Sequence, residues 1–252
     1  MSASTERTDP SSAPREWHAS SVPWTKRDIF WAILLGAFVM VGLLLLLIVI
    51  IEIVSLATGT KSSPGILGSL VLVAELGLLL PVWALGIRKY RVPWSSLGFR
   101  GFEFGQSFGL GCLFLLFALG FNTFWGLLMA AFDQSVQPDL SPLVGDSLGG
   151  LSVALLGAAI VAPVAEEAFF RGFVFSGLRR TMRLVPALVL SAGLFAVAHI
   201  TPTSWPPIFV LGVLFALLYE QTGSVWPAVI MHGFINGLAF VLMYLSQALS
   251  TS

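Results

Sequence analysis

Two glutamates and an arginine stand in a run too apolar for them. Residues 148–178 read as a membrane crossing, yet the second half contains Val161-Ala162-Pro163-Val164-Ala165-Glu166-Glu167-Ala168-Phe169-Phe170-Arg171. Each charge near mid-bilayer costs roughly 2.5 to 3.5 kcal/mol, so three unrelieved ones would cost roughly 7 to 10 kcal/mol. A helix so loaded must turn these groups toward protein or a wet cavity. A single Glu–Arg pair is equally well read as a lock between helices. A second acid leaves one carboxylate without a cation, and that surplus points to chemistry.

Spacing separates the two acids. Neighbours on a helix point about 100° apart, so Glu166 and Glu167 face different directions. Glu167 and Arg171 are i,i+4 with the acid first, the favoured order for an intrahelical pair. Glu166 is five residues before Arg171 and poorly placed for it. Glu167 is therefore expected to be held by Arg171, leaving Glu166 free to act.

Later runs carry the remaining polar groups. Phe195 and His199 are i,i+4, so the ring can pack on the imidazole and orient it. His232 and Asn236 have the same spacing and share one helix face. A lone intramembrane histidine is more often a buried structural group than a reactive one. Polar groups on three separate apolar runs weigh against that reading, because in lipid the cheapest partners for buried polar groups are one another. If they converge, a carboxylate and two imidazoles around a water make a hydrolytic centre. Glu166 would take a proton from the water, and His199 would orient the water or share its proton. His232 and Asn236 would donate to the oxyanion formed on a scissile carbonyl. Glu166, His199 and His232 are also the donor set for a divalent metal such as zinc, which would activate the water instead. The residues leave open a metal cofactor or none.

The elements that must position these groups are membrane helices. Of 252 residues, 56% are hydrophobic and 10% charged, with a mean hydropathy of +0.90. That composition belongs to a membrane protein. Formal net charge is zero, so nothing in the charge balance suggests a nucleic-acid partner; membrane lipids and a peptide or protein substrate are the expected partners. Cys112 stands alone, which rules out an intrachain disulfide and a cysteine metal site. His-Glu-x-x-His and fixed-period repeats are absent.

Residues 1–27, rich in Ser, Thr, Pro and charge, read as a disordered cytoplasmic tail. Residues 28–252 read as one all-α domain, a polytopic membrane helix bundle of about seven transmembrane or re-entrant spans. These cover residues 31–51, 65–87, 107–132, 148–178, 184–200, 206–219 and 225–245, the sixth being too short for a comfortable crossing. Glu75 lies near the middle of the second span as a minor candidate for the polar interior. With spans alternating, eleven of the thirteen Lys and Arg residues fall on one side, which the positive-inside rule makes cytoplasmic together with the N-terminus. This layout sets Glu166 and His232 in the cytoplasmic half while His199 ends its span toward the far side. The fifth span would have to begin deep in the membrane or tilt strongly.

Taken in order, Glu166-Glu167-x-x-x-Arg171, Phe195-x-x-x-His199 and His232-x-x-x-Asn236 resemble the motifs of the CPBP intramembrane proteases. That family includes type II CAAX prenyl endopeptidases and the bacterial Abi and lysostaphin-resistance proteins. Each motif alone is weak; the ordered trio on membrane spans is specific, and Gly223-Ser224-Val225-Trp226-Pro227-Ala228 is also similar. The resemblance covers residues 146–246. It implies a CAAX-type intramembrane endopeptidase in a bacterial inner (plasma) membrane, with Glu166 as activating glutamate. Glu167 and Arg171 would support it, His199, His232 and Asn236 would complete the site, and the substrate would be membrane-associated or lipidated. A non-catalytic scaffold or bacteriocin-immunity protein is the alternative, and a proton-coupled transporter is weaker because no inverted repeat is evident.

Overall fold

A computed structural model of the chain describes residues 21–59, 74–136, 148–199 and 201–250. Among them there is helix and no strand, as the composition requires of a membrane bundle. Helix α1 spans Lys26–Thr58, and α2 comprises Leu79–Val82 with a π-helical continuation, Trp83–Arg88. Helix α3 is Phe104–Ala130. Helix α4 begins at Leu148 and runs to Arg179, passing through two π-helical stretches, Gly157–Val161 and Ala168–Phe175. Helices α5, α6 and α7 are Leu184–Val197, Trp205–Thr222 and Trp226–Ser250.

Five of these helices (α1, α3, α4, α6 and α7) are long and apolar enough to cross a membrane. Those at the periphery show lipid-facing side chains such as Phe38, Leu45, Phe117 and Leu127. Helix α4 lies at the centre, against α1, α2, α5, α6 and α7. Its apolar side chains are buried among protein neighbours from Phe169 to Phe175. The expected second span begins outside the described residues.

Two expectations from the sequence are corrected. The tail does not reach Arg27 as free chain: Val22 is buried and Trp24 is 0% exposed. The indole of Trp24 stacks on Phe173 at 5.1 Å and its Nε1–H donates to the Phe173 carbonyl at 2.8 Å. Thr25 then caps α1 in a reciprocal box with Asp28. Residues 1–20 lie outside the described residues. The sixth element, in turn, is longer than its apolar run. A short turn at Pro202–Ser204 leads into α6, which continues through Glu220 to Thr222 and stops at Gly223 with φ 66°. The 21 residues Pro202–Thr222 suffice to cross. Glu220 extends the helix because Arg179 neutralises it at 2.7 Å.

The first π-helical stretch has a chemical cause. Pro163 has no N–H and its ring collides with the carbonyl one turn back, so the ladder slips by one residue. The carbonyls freed near Ala158 and Ala159 face α7. Asn236 Nδ2 donates to the Ala158 carbonyl at 3.0 Å, and a Cβ added at Gly233 would lie 2.2 Å from the Ala159 oxygen. Gly233→Ala should therefore force α7 off α4, with an overpacking cost of about 1–3 kcal/mol. Thermal unfolding in detergent checks this, and an unchanged midpoint would contradict the close approach.

Candidate active site

The carbonyls of the second π-helical stretch find side-chain donors on neighbouring elements. Trp24 serves Phe173 as described, and Ser191 Oγ donates to Phe170 at 3.3 Å. The local widening is thus held from both sides, and it presents Glu167 and Arg171 to the interior. Such π-helical insertions recur at functional sites.

Arg171 is 1% exposed and Glu167 0%. The i,i+4 pair expected from spacing forms, with Arg171 Nη1 donating to Glu167 Oε1 at 2.9 Å. The guanidinium also donates through Nη2 to the Gly212 carbonyl at 3.2 Å. It lies over two rings, 4.2 Å from the Phe195 centroid and 5.0 Å from that of Phe215. Contacts of this kind strengthen when desolvated. Gly212 allows α6 to approach α5, since a Cβ there would meet Ala192 at 2.9 Å.

His232 arrives from α7 and is 4% exposed. Its Nδ1–H donates to Glu167 Oε1 at 3.0 Å. A carboxylate only accepts, so this bond fixes the proton on Nδ1 and aims Nε2 the other way. Nε2 lies 3.9 Å from Glu166 Oε2, beyond direct hydrogen-bond reach and suited to an intervening oxygen. The ring is fixed by stacking on Phe215 at 5.0 Å and by the edge of Phe195 at 5.9 Å. Glu166 Oε2 is buried without a hydrogen-bond partner. The two adjacent glutamates thus have unlike surroundings: Oε2 of Glu167 is likewise buried without a partner, but its Oε1 accepts from both Arg171 and His232, whereas Glu166 has only the 3.9 Å approach of His232.

His199 sits at the end of α5, its ring 5.0 Å from Phe195 and its Nδ1–H donating to the Phe195 carbonyl at 2.9 Å. The sequence layout made its depth a difficulty. Counted along the hairpin, roughly 18 Å of helix separates Glu167 from Arg179 and roughly 22 Å separates Leu184 from His199. Both arms start at the same turn, so the two residues reach comparable depth without unusual tilt. Phe195 touches both imidazoles and the guanidinium. Asn236 spends one amide hydrogen on Ala158 and keeps the second.

Glu166, His199 and His232 offer suitable metal-ligand types, and Nδ1 of each histidine is already committed, as is usual for a ligating imidazole. Their placement is another matter. Among the described residues no group of three His, Cys, Asp or Glu is gathered so as to hold a metal ion. Only Glu166 and His232 approach one another, and the described arrangement does not fit the three-ligand set.

These residues fall within one recognisable stretch. Residues 149–238 match the family model described as type II CAAX prenyl endopeptidase Rce1-like. The Rce1-like stretch contains all six residues from Glu166 to Asn236, and the family resemblance drawn from the motifs is borne out there. A relative in Staphylococcus aureus (strain USA300), the "Membrane-embedded CAAX protease MroQ", is 25% identical over 165 residues, covering 63% of this chain and 61% of its own. The "Putative membrane peptidase YdiL" of Bacillus subtilis (strain 168) is 21% identical over 141 residues, or 50% of this chain and 58% of its own. The chain thus spans about three fifths of the length of these curated relatives. No solved structure matches.

Phe215, Gly212 and Ala158 were not legible as site residues. Phe215 is one of 20 phenylalanines, and nothing in its neighbourhood distinguishes a ring that supports an imidazole from one that faces lipid.

Proposed function

We propose that this chain is an intramembrane endopeptidase that hydrolyses a peptide bond of a membrane-associated or lipidated substrate. The observation that carries the reading is the contrast between the two glutamates: Oε1 of Glu167 is spent on Arg171 and His232, whereas Glu166 is hydrogen-bonded to neither and its buried Oε2 stands opposite His232 Nε2. In this reading Glu166 takes a proton from a water as its oxygen attacks the scissile carbonyl. His232, whose ring Glu167 orients, and Asn236, through its second amide hydrogen, stabilise the oxyanion. When the C–N bond breaks, the leaving nitrogen receives the proton held by Glu166. The printed names of the family and of both relatives support peptidase chemistry. The distribution of Lys and Arg supports a cytoplasmic N-terminus, and the relatives support a bacterial inner membrane.

The test compares membrane-protein termini in cells producing the wild-type chain or Glu166→Gln at equal levels. Cuts present only with the wild type are expected. Identical sets of termini would overturn the proposal.

A further inference from the structure

A cavity outside the three motifs lies at the end of the bundle where α2 and α4 finish, at Arg88 and Arg179. Its volume is about 300 Å³, and it separates residues 21–23, which lead into α1, from Val92, Ser95, Ser96 and Arg100. The second wall is held from behind. A 3₁₀ turn at Trp94–Leu97 ends on Gly98 with φ 93°, and a Cβ there would lie 2.5 Å from the Tyr219 ring. The Tyr219 hydroxyl donates to the Leu97 carbonyl at 3.2 Å, and Ser224 Oγ donates to that of Arg100 at 2.8 Å. The Val225 N–H donates to the Gly98 carbonyl at 3.0 Å. Helices α6 and α7 therefore fix this loop without help from any ligand.

The lining suits an anion. Arg100 supplies a guanidinium whose Nη2 donates to the Ser95 carbonyl, which anchors the planar fork at the wall. Such a fork matches two phosphate oxygens, and Ser95 and Ser96 add hydroxyl donors. No carboxylate lines the cavity. Asp28, on the first turn of α1, is committed to Lys89, Tyr90 and its own helix cap. A second guanidinium meets the rim, where Arg180 Nη1 donates to the Trp24 carbonyl at 3.2 Å and to that of Pro23. Trp94 and Trp226 are 40% and 37% exposed, and Phe99 joins them edge to face at 6.0 and 5.6 Å. Exposed indoles mark the headgroup layer of a membrane, and Arg100 follows Phe99 directly. We propose that this cavity binds a phosphate group of net negative charge, gripped by the Arg100 fork and the two serine hydroxyls. An anionic phospholipid headgroup and free phosphate both offer that chemistry. A ligand here ties residues 21–23 to the loop, and because it binds only the folded chain it raises the unfolding midpoint by mass action.

Purified full-length protein in nonionic detergent is mixed with equimolar phosphatidylglycerol and phosphatidylcholine, and the retained lipid is read by native mass spectrometry. Phosphatidylglycerol should be retained in preference and should raise the unfolding midpoint, since the choline cation would face Arg100. In a second arm sodium phosphate replaces the lipids, with sodium chloride at equal ionic strength as control. A rise with phosphatidylglycerol alone assigns the site to a headgroup, and a rise with phosphate alone assigns it to the free ion. Arg100→Gln should weaken binding roughly 10- to 100-fold, as loss of a hydrogen bond to a charged group does. Ser95→Ala combined with Ser96→Ala keeps Arg100 and every tie to α6 and α7, and should weaken it roughly 10-fold. Arg91→Asn removes a nearby exposed charge at a backbone φ of 54°, which asparagine tolerates, and should leave binding within about twofold. Equal retention of the two lipids, together with no response to phosphate, would overturn the proposal. So would an Arg91→Asn loss equal to that of Arg100→Gln, which is the mark of diffuse surface charge. Should Arg100→Gln fail to fold, the serine pair decides, and wild-type retention in that variant would overturn the site as well.

Discussion

Arg171→Met should lower the stability of the protein by about 3–5 kcal/mol, the usual cost of removing one member of a buried ion pair. The guanidinium is enclosed by Glu167, the Gly212 carbonyl and the rings of Phe195 and Phe215. Its removal leaves Glu167 ionised at 0% exposure with only His232 to satisfy it. In a chain of this size that loss corresponds to roughly 10 °C in unfolding midpoint. Methionine fills most of the volume, so the effect reports charge and hydrogen bonding more than a cavity. Arg171→Lys keeps the charge and loses the planar fork, and should fall between the two. The double variant Glu167→Gln with Arg171→Met removes both charges and should regain most of the midpoint, because the penalty lies in the orphaned carboxylate. Equal midpoints for the single and double variants would show that the orphaned carboxylate is not the source of the loss. A single variant as stable as wild type would show that the pair has little to do with folding.

Glu166→Gln should do the opposite. Loss of a general base typically costs 10²- to 10⁴-fold in rate. Stability should stay within about 0.5 kcal/mol of wild type or rise, since the glutamate oxygen Oε2 makes no bond to lose. The assay is the appearance of the wild-type cuts per unit of inserted protein, with the unfolding midpoint measured on the same preparation. The two adjacent residues are thereby separable. A defect at Glu167 or Arg171 travels with unfolding, and a defect at Glu166 does not. Cleavage by Glu166→Gln at the wild-type rate would remove Glu166 from the reaction.

The portion of this arrangement legible in the sequence was the portion set by local geometry. Helical spacing alone paired Glu167 with Arg171 and set His199 against Phe195, and both contacts are present. It could not pair His232 with Glu167, 65 residues apart, because that bond depends on how α7 crosses α4, and the crossing depends on Gly233 meeting a backbone displaced by Pro163. Sequence order set His199 at the far end of its span because whole spans were counted rather than distances from a shared turn. Trp24 was assigned to the tail because its burial requires a partner, Phe173, that lies 149 residues away. Apolar runs gave the bundle; their ends were misjudged wherever a polar residue such as Glu220 found a counter-charge.

The seating of Arg171 between two phenyl faces has a consequence for how the site responds to its surroundings. Dissolved ions damp electrostatic forces only where they and water can enter, and a guanidinium walled by aromatic rings and backbone admits neither. The balance of charge that steadies Glu167 and His232 is therefore internal to the fold. Dilute and saline media act alike on it.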